Sequence, residues 1–142
     1  MLFKEIDFKA TRESAKKTLK TYRRLERMAG KSKVDLQAVT WSDMPKSPSV
    51  GNHEEDKIVS ALNARYERDA IDYGISRLCL ISRQILVLSY MQQDRLSVDD
   101  IIYKMGWGYT NKVTFNRYKN EALVEFADAY KNGELIKYSV LG

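Results

Sequence analysis

Apolar and polar positions alternate with helical period over the last third of the chain, and they do so in three successive bursts. SRQILVLSYMQQ places Ile85, Leu86, Leu88 and Met91 on a segment too apolar to face solvent all round. SVDDIIYKM follows, with Val98, Ile101, Ile102 and Met105 at core spacing. Ser97 and Asp100 stand where a helix N-cap and its reciprocal partner belong. After the turn GWGY, the segment TNKVTFNRYKNEALVEFADAY carries Phe115, Tyr118, Ala122, Phe126 and Ala129 at steps of three, four, four and three. These predict three helices closing the chain, with Ser82 and Thr110 capping the first and last. Gly106 and Gly108 supply positive φ around Trp107. Only Leu135–Leu141 reads as extended, so the fold class is all-α.

Upstream, one long helix is predicted from about Asp7 to Ala29. Phe8, Ala15, Leu19, Tyr22 and Ala29 form its apolar stripe, and Lys9, Arg12, Lys16, Lys20, Arg23 and Arg27 form a basic one. At about 100° per residue the six cations occupy a quarter of the circumference. Residues 1–30 therefore read as a basic amphipathic arm. Its cations suit a solvated surface, a track for DNA phosphates or a membrane-surface helix. Its apolar stripe requires cover from the body or from a second subunit. Gly30 ends the helix, and residues 31–52, with both prolines, read as a linker in which Trp41 anchors the loop or stacks on a base. Asn52 and Glu55 resemble a capping box for a helix carrying Ile58, Leu62, Tyr66, Ala70 and Tyr73, interrupted near Gly74. Residues 53–131 then make a helical body, with the three-helix ending at 82–131 and a tail at 132–142.

Charge sharpens this picture. Residues 1–33 hold eleven Lys and Arg against four Asp and Glu, residues 34–82 five against eight, and residues 83–142 eight against seven. The whole surplus of +5 sits in the N-terminal segment, which favours a polyanionic partner. One cysteine, Cys79, excludes an internal disulfide, and its apolar neighbours predict a buried, inert thiol. The N-terminus lacks the apolar stretch of a signal peptide and no run is long enough to span a bilayer. The expected location is the cytoplasm. No phosphate loop, dinucleotide fingerprint or zinc spacing is present, and the lone His53 has no second ligand nearby. An enzyme is not expected, and neither is a cofactor or a metal.

The last helix is where recognition chemistry concentrates. Asn111, Lys112, Thr114, Asn116, Arg117 and Asn120 lie off its buried stripe, nearly all in the first three turns. A recognition helix presents its N-terminal half to base edges. Arg and Lys suit guanine, Asn suits adenine and Thr can meet a thymine methyl. A polar surface on a packed helix is the plainer alternative.

LISRQILVLSY, LSVDDIIYKMG and KNEALVEFADAY resemble the C-terminal region of ArpU/RinA-type phage regulators and, more remotely, region 4 of sigma-70-type factors. TYRRLERMAGKS and MPKSPSVGNHEEDKIV resemble the arm and linker of the ArpU group, so the resemblance runs from about Lys16 to Tyr130. It implies a sequence-specific DNA-binding transcriptional regulator of phage or prophage late genes for packaging and lysis. It also implies scaffold roles for Ile101, Gly106, Ala122 and Phe126, and DNA reading by the helix from Thr110. Gly106 to Ala122 is sixteen residues where sigma-like motifs have about thirteen, so the turn is enlarged. The partner implied is double-stranded DNA, with RNA polymerase and a second copy of the chain as further candidates and no membrane. Two alternatives stay open: a module that binds RNA polymerase without reading DNA, and a DNA-packaging protein like a terminase small subunit.

Overall fold

A computed structural model describes residues 5–30, 48–108 and 111–139, with residue 30 and residues 48–54 given as backbone only. The expected linker up to residue 47, Trp41 and Thr110 lie outside the described residues, as does the side chain of His53. The described residues are mainly helical: α1 (Phe8–Leu19), α2 (Tyr22–Gly30), α3 (Pro48–Ser76), α4 (Leu80–Leu86), α5 (Val98–Lys104) and α6 (Lys112–Ala129). Two short strands, β1 (Glu5–Ile6) and β2 (Tyr138–Ser139), pair antiparallel with Glu5 opposite Ser139. The all-α class holds.

The chain divides into two compact units. One comprises the described residues up to Arg23 together with those from Ala70 onward, and the other comprises the described residues between Arg24 and Asp69. In the second unit Ala29 and Ala64 are buried, and Arg68 reaches Glu26 at 3.1 Å and Asp69 at 3.1 Å.

In the first unit, α1 packs along α6 and is no free arm. Asp7 caps α1 by accepting the Ala10 N–H at 3.0 Å. Thr11, Ala15 and Leu19 are fully buried, whereas Phe8, expected on the stripe, is 53% exposed. Thr11 is a buried polar residue with its needs met: its Oγ1 accepts the Lys137 N–H at 2.9 Å beside the β1–β2 pair.

The single helix expected from Asp7 to Ala29 is broken at Lys20–Thr21. Both the N–H and the hydroxyl of Thr21 bond the Thr18 carbonyl, at 3.1 and 2.6 Å. A threonine whose hydroxyl competes for a backbone carbonyl offers the chain a way out of the regular ladder.

Further expectations are corrected. α3 already runs from Pro48, so Asn52 lies inside it and not at its start; proline's fixed φ suits a first helical turn. α3 also continues through Gly74 to Ser76. The residues that set its period, Leu62, Tyr66 and Tyr73, are largely exposed, while Ile71 and Ile75 are buried. Cys79 is exposed, because it occupies the N-cap of α4 beside the exposed Leu80 and Ile81. Ser82 is not the cap but a buried helical residue whose hydroxyl bonds Glu125 of α6. Beyond Leu86 the helix widens into a π-turn at Val87–Met91.

α6 is covered on two sides, by α1 and by α4. Phe115, Ala122 and Phe126 are fully buried as expected, and so are Leu123 and Ala127. After α6, Lys131, Asn132 and Gly133 take successive positive φ values and turn the chain back toward β1.

Candidate functional site

α4, α5 and α6 share a small core of Ile85, Ile101, Ile102 and Phe115, with Leu88, Leu96, Val98, Met105, Trp107 and Tyr118 around it. Burial of these side chains is what fixes α6 relative to α5. The start of α5 is secured by the expected box: Ser97 Oγ accepts the Asp100 N–H at 3.1 Å, and the Asp100 carboxylate accepts the Ser97 N–H at 3.4 Å. Asp99 and Asp100 in its first turn complement the helix dipole.

Gly106 and Gly108 have φ of +73° and +63°, as their positions predict, and this swings the Trp107 ring inward. It meets Tyr118 edge-on with centroids 5.2 Å apart, and Phe115 at 6.4 Å. Trp107 is thus an aromatic wedge against the first turns of α6.

That wedge leaves the opposite face of α6 to solvent. Lys112, Asn116, Arg117 and Asn120 are exposed along it. The Lys112 ammonium stands 4.0 Å from Asp99 in a largely exposed pair, and the Arg117 guanidinium lies 5.7 Å from the Tyr118 ring centroid. Two of the six expected recognition residues differ. Asn111 is the N-cap of α6, its side-chain oxygen accepting the Val113 N–H at 2.8 Å, and this cap stands where Thr110 was expected. Thr114 is half-buried. Val113 is 73% exposed on the same face, although polarity alone would not single it out. Its signal was a β-branched apolar residue at a helix position that the core does not use.

The six cations of the N-terminal segment do not form one face. Arg23 belongs to the scaffold: its Nε donates to the Gln92 carbonyl at 2.6 Å and its Nη2 to the Ser89 carbonyl at 3.3 Å. Arg27 falls in the other unit. Lys9 and Lys20 are exposed, Arg12 is half-buried, and Lys16 pairs with Glu13 at 3.6 Å.

Lys119 of α6, which the helical pattern does not single out, joins them. It is half-buried, with its Nζ 5.0 Å from the ring centroid of Tyr90 in the π-turn. Burial, then the charges of Lys16 and Lys20, hold its pKa below the ordinary lysine value. Burial, then the charge of Glu13, pushes the Tyr90 phenol up to about 12.

No protein-family model matches the chain, and no solved structure matches it. Two relatives do. An Enterococcus hirae protein named "Putative autolysin regulatory protein ArpU" is 45% identical over 137 residues, covering 96% of this chain and 98% of its own length. A protein of the same name from Streptococcus phage O1205 is 28% identical over 138 residues, with coverage of 96% and 98%. Sharing this much sequence along nearly the whole of both chains, the protein belongs to the ArpU family, whose two named relatives are described as regulatory proteins.

Proposed function

We propose that this protein is a sequence-specific DNA-binding regulator of transcription acting on phage or prophage late genes in the bacterial cytoplasm. In this reading α5, the Gly106–Gly108 turn and α6 work as a helix-turn-helix. α6 enters the major groove and α5 crosses the backbone. The observation that carries the reading is the exposed first half of α6, where Lys112, Val113, Asn116, Arg117 and Asn120 project from a helix whose second half is packed on both sides. Their chemistry matches base edges: cations for guanine, carboxamides for adenine and an apolar contact for the thymine methyl. The names of the relatives support a regulatory role. Among the described residues no helix is long and apolar enough to cross a membrane, which agrees with a cytoplasmic site of action. The proposal involves no enzymatic step, cofactor or metal.

The test is selection of a preferred duplex from a random library, followed by mobility shifts with Arg117→Ala and Asn116→Ala. Removing a bidentate pair of hydrogen bonds made by Arg117 is expected to cost about 1–3 kcal/mol and to relax preference at one base position. Wild-type affinity and preference retained by both variants would remove α6 as the reading helix. Retention of RNA polymerase with no duplex retarded would favour the protein-interaction alternative. A large ring in light scattering would favour a packaging protein.

A further inference from the structure

We infer that Lys16 of α1, Lys20 at its C-cap and Lys119 of α6 form one seat, centred on Tyr90, for a backbone phosphate of the DNA strand that flanks the groove entered by α6. The inference rests on the DNA-reading proposal and adds to it a contact surface that the chain builds from two distant segments.

Three observations converge. Glu13, Lys16 and Lys20 follow one another at steps of three and four along α1, so they share an edge of that helix. Arg23, just beyond the break, is fastened to the carbonyls of Ser89 and Gln92, which draws this end of the N-terminal segment over the π-turn that holds Tyr90. Lys119 reaches the same ring from α6, and the charges of Lys16 and Lys20 are felt at its ammonium. The edge of α1, the π-turn and α6 thus meet around one aromatic ring.

The charge balance at this place points outward. Among the described residues, the charges of Lys16 and Lys20 act on the Lys119 ammonium, and the Glu13 carboxylate is engaged with Lys16 and reaches the Tyr90 ring electrostatically. Drawing like charges together and half-burying one of them opposes folding. Tyr90 offsets part of this for Lys119, since an ammonium is attracted to an aromatic face, and it also fixes where that ammonium stands. A group carrying negative charge and several acceptor oxygens would satisfy all three lysines together.

The location fits a phosphate flanking the groove. At about 100° per residue, Lys112, Asn116 and Lys119 fall within an arc of about 60° on α6, and Lys119 lies roughly 4.5 Å along the axis from Asn116. The seat therefore adjoins the exposed face proposed to read bases. Contacts to phosphates position a protein without reading sequence.

The experiment compares wild type with Lys20→Gln, Lys119→Met and the triple variant Lys16→Gln/Lys20→Gln/Lys119→Met. Binding is measured across a salt series on the duplex selected by the wild type and on a scrambled duplex of equal composition. Lys57→Gln, exposed on α3, controls for a change in net charge. Each phosphate that the protein neutralises contributes about 0.9 to the slope of log affinity against log salt. The triple variant, losing one phosphate contact, is expected to lose about 0.9 from the slope and about tenfold in affinity on both duplexes, with their ratio unchanged. Lys20→Gln repeats the test at an exposed residue where packing is untouched. A triple-variant slope equal to that of wild type, with wild type binding normally, overturns the seat alone. Collapse of the selected-to-scrambled ratio overturns it too, because the lysines would then be reading bases. Failure of the wild type to bind any duplex overturns the DNA reading and the seat together.

Discussion

Gly74 sets two measurable effects against each other. It sits in the last turn of α3, where the penalty of about 0.8–1.0 kcal/mol that glycine carries against alanine in a helix interior is an upper value, so Gly74→Ala on propensity alone should stabilise the protein by at most that amount. The packing opposes it. A Cβ at this position would stand 3.0 Å from Cε1 and 3.4 Å from Cδ1 of Phe126, and 3.6 Å from the Cα of Tyr130. Optimal carbon contacts lie at about 3.5–4.0 Å. Phe126 is fully buried and its ring lies against Tyr130 at 5.4 Å, so it has little room to withdraw. Overpacking of this kind costs about 1–3 kcal/mol. The packing term wins, and Gly74→Ala is expected to destabilise by about 1 kcal/mol net.

Urea unfolding followed by far-ultraviolet circular dichroism measures this directly, and a second background makes the test sharp. In a Phe126→Leu protein the ring is gone, so Gly74→Ala should change sign and stabilise by roughly the propensity difference. Stabilisation by Gly74→Ala in the wild-type background, with no coupling between the two sites, would show that the helix simply tolerates a glycine and that the ring contact does not govern the position.

Arg23→Ala is expected to cost about 2–3 kcal/mol, because it leaves two carbonyls at the end of the π-turn without a charged donor, whereas Arg24→Ala at an exposed neighbour should fall within about 0.5 kcal/mol. Equal melting temperatures for the two variants would return Arg23 to the solvated surface. Tyr90 carries a pH prediction of definite sign: its folded pKa, about 12, lies above the ordinary 10, so its stabilising contribution is complete below about pH 10 and is lost as pH rises through 12. Tyrosinate absorbance should show one phenol titrating late, and Tyr90→Phe should remove it and move alkaline unfolding to higher pH. An alkaline limb identical in both proteins would contradict the burial assigned to this ring.

Much of the three-helix ending was legible because each of its signals is local. The Ser97–Asp100 box, the positive φ at Gly106 and Gly108, and the spacing of Phe115, Ala122 and Phe126 depend on neighbours within a few turns. What could not be read depends on partners far along the chain. The basic stripe looked uniform because periodicity reports which residues share a face. It does not say that Arg23 meets Ser89 and Gln92 or that Lys16 pairs with Glu13. Leu123 and Ala127 fell outside the expected stripe for a related reason: a narrow stripe describes a helix packed on one side, and the second half of α6 is packed on two. Thr11 lies outside the expected stripe and is buried all the same, because Lys137, far along the chain, supplies its partner. Among the candidate site residues, composition found the exposed polar members of α6. It missed Val113, whose exposure is decided by tertiary packing, and Lys119, whose surroundings are assembled from three elements.

The packing of α1 on α6 and the pairing of β1 with β2 impose an order on folding during synthesis. α1 leaves the ribosome early, yet the surface that buries Ala15 and Leu19 is made about ninety residues later, a delay of roughly 5–20 s at bacterial elongation rates. Over that interval its buried face has no partner from α6, and a 12-residue helix is marginal in water by itself. Of the two helices, the one made first thus waits for the second before it is fixed. A ribosome stalled before α6 would display α1 without the helix that buries Ala15 and Leu19, a state open to chaperones and proteases that the arrival of α6 closes off.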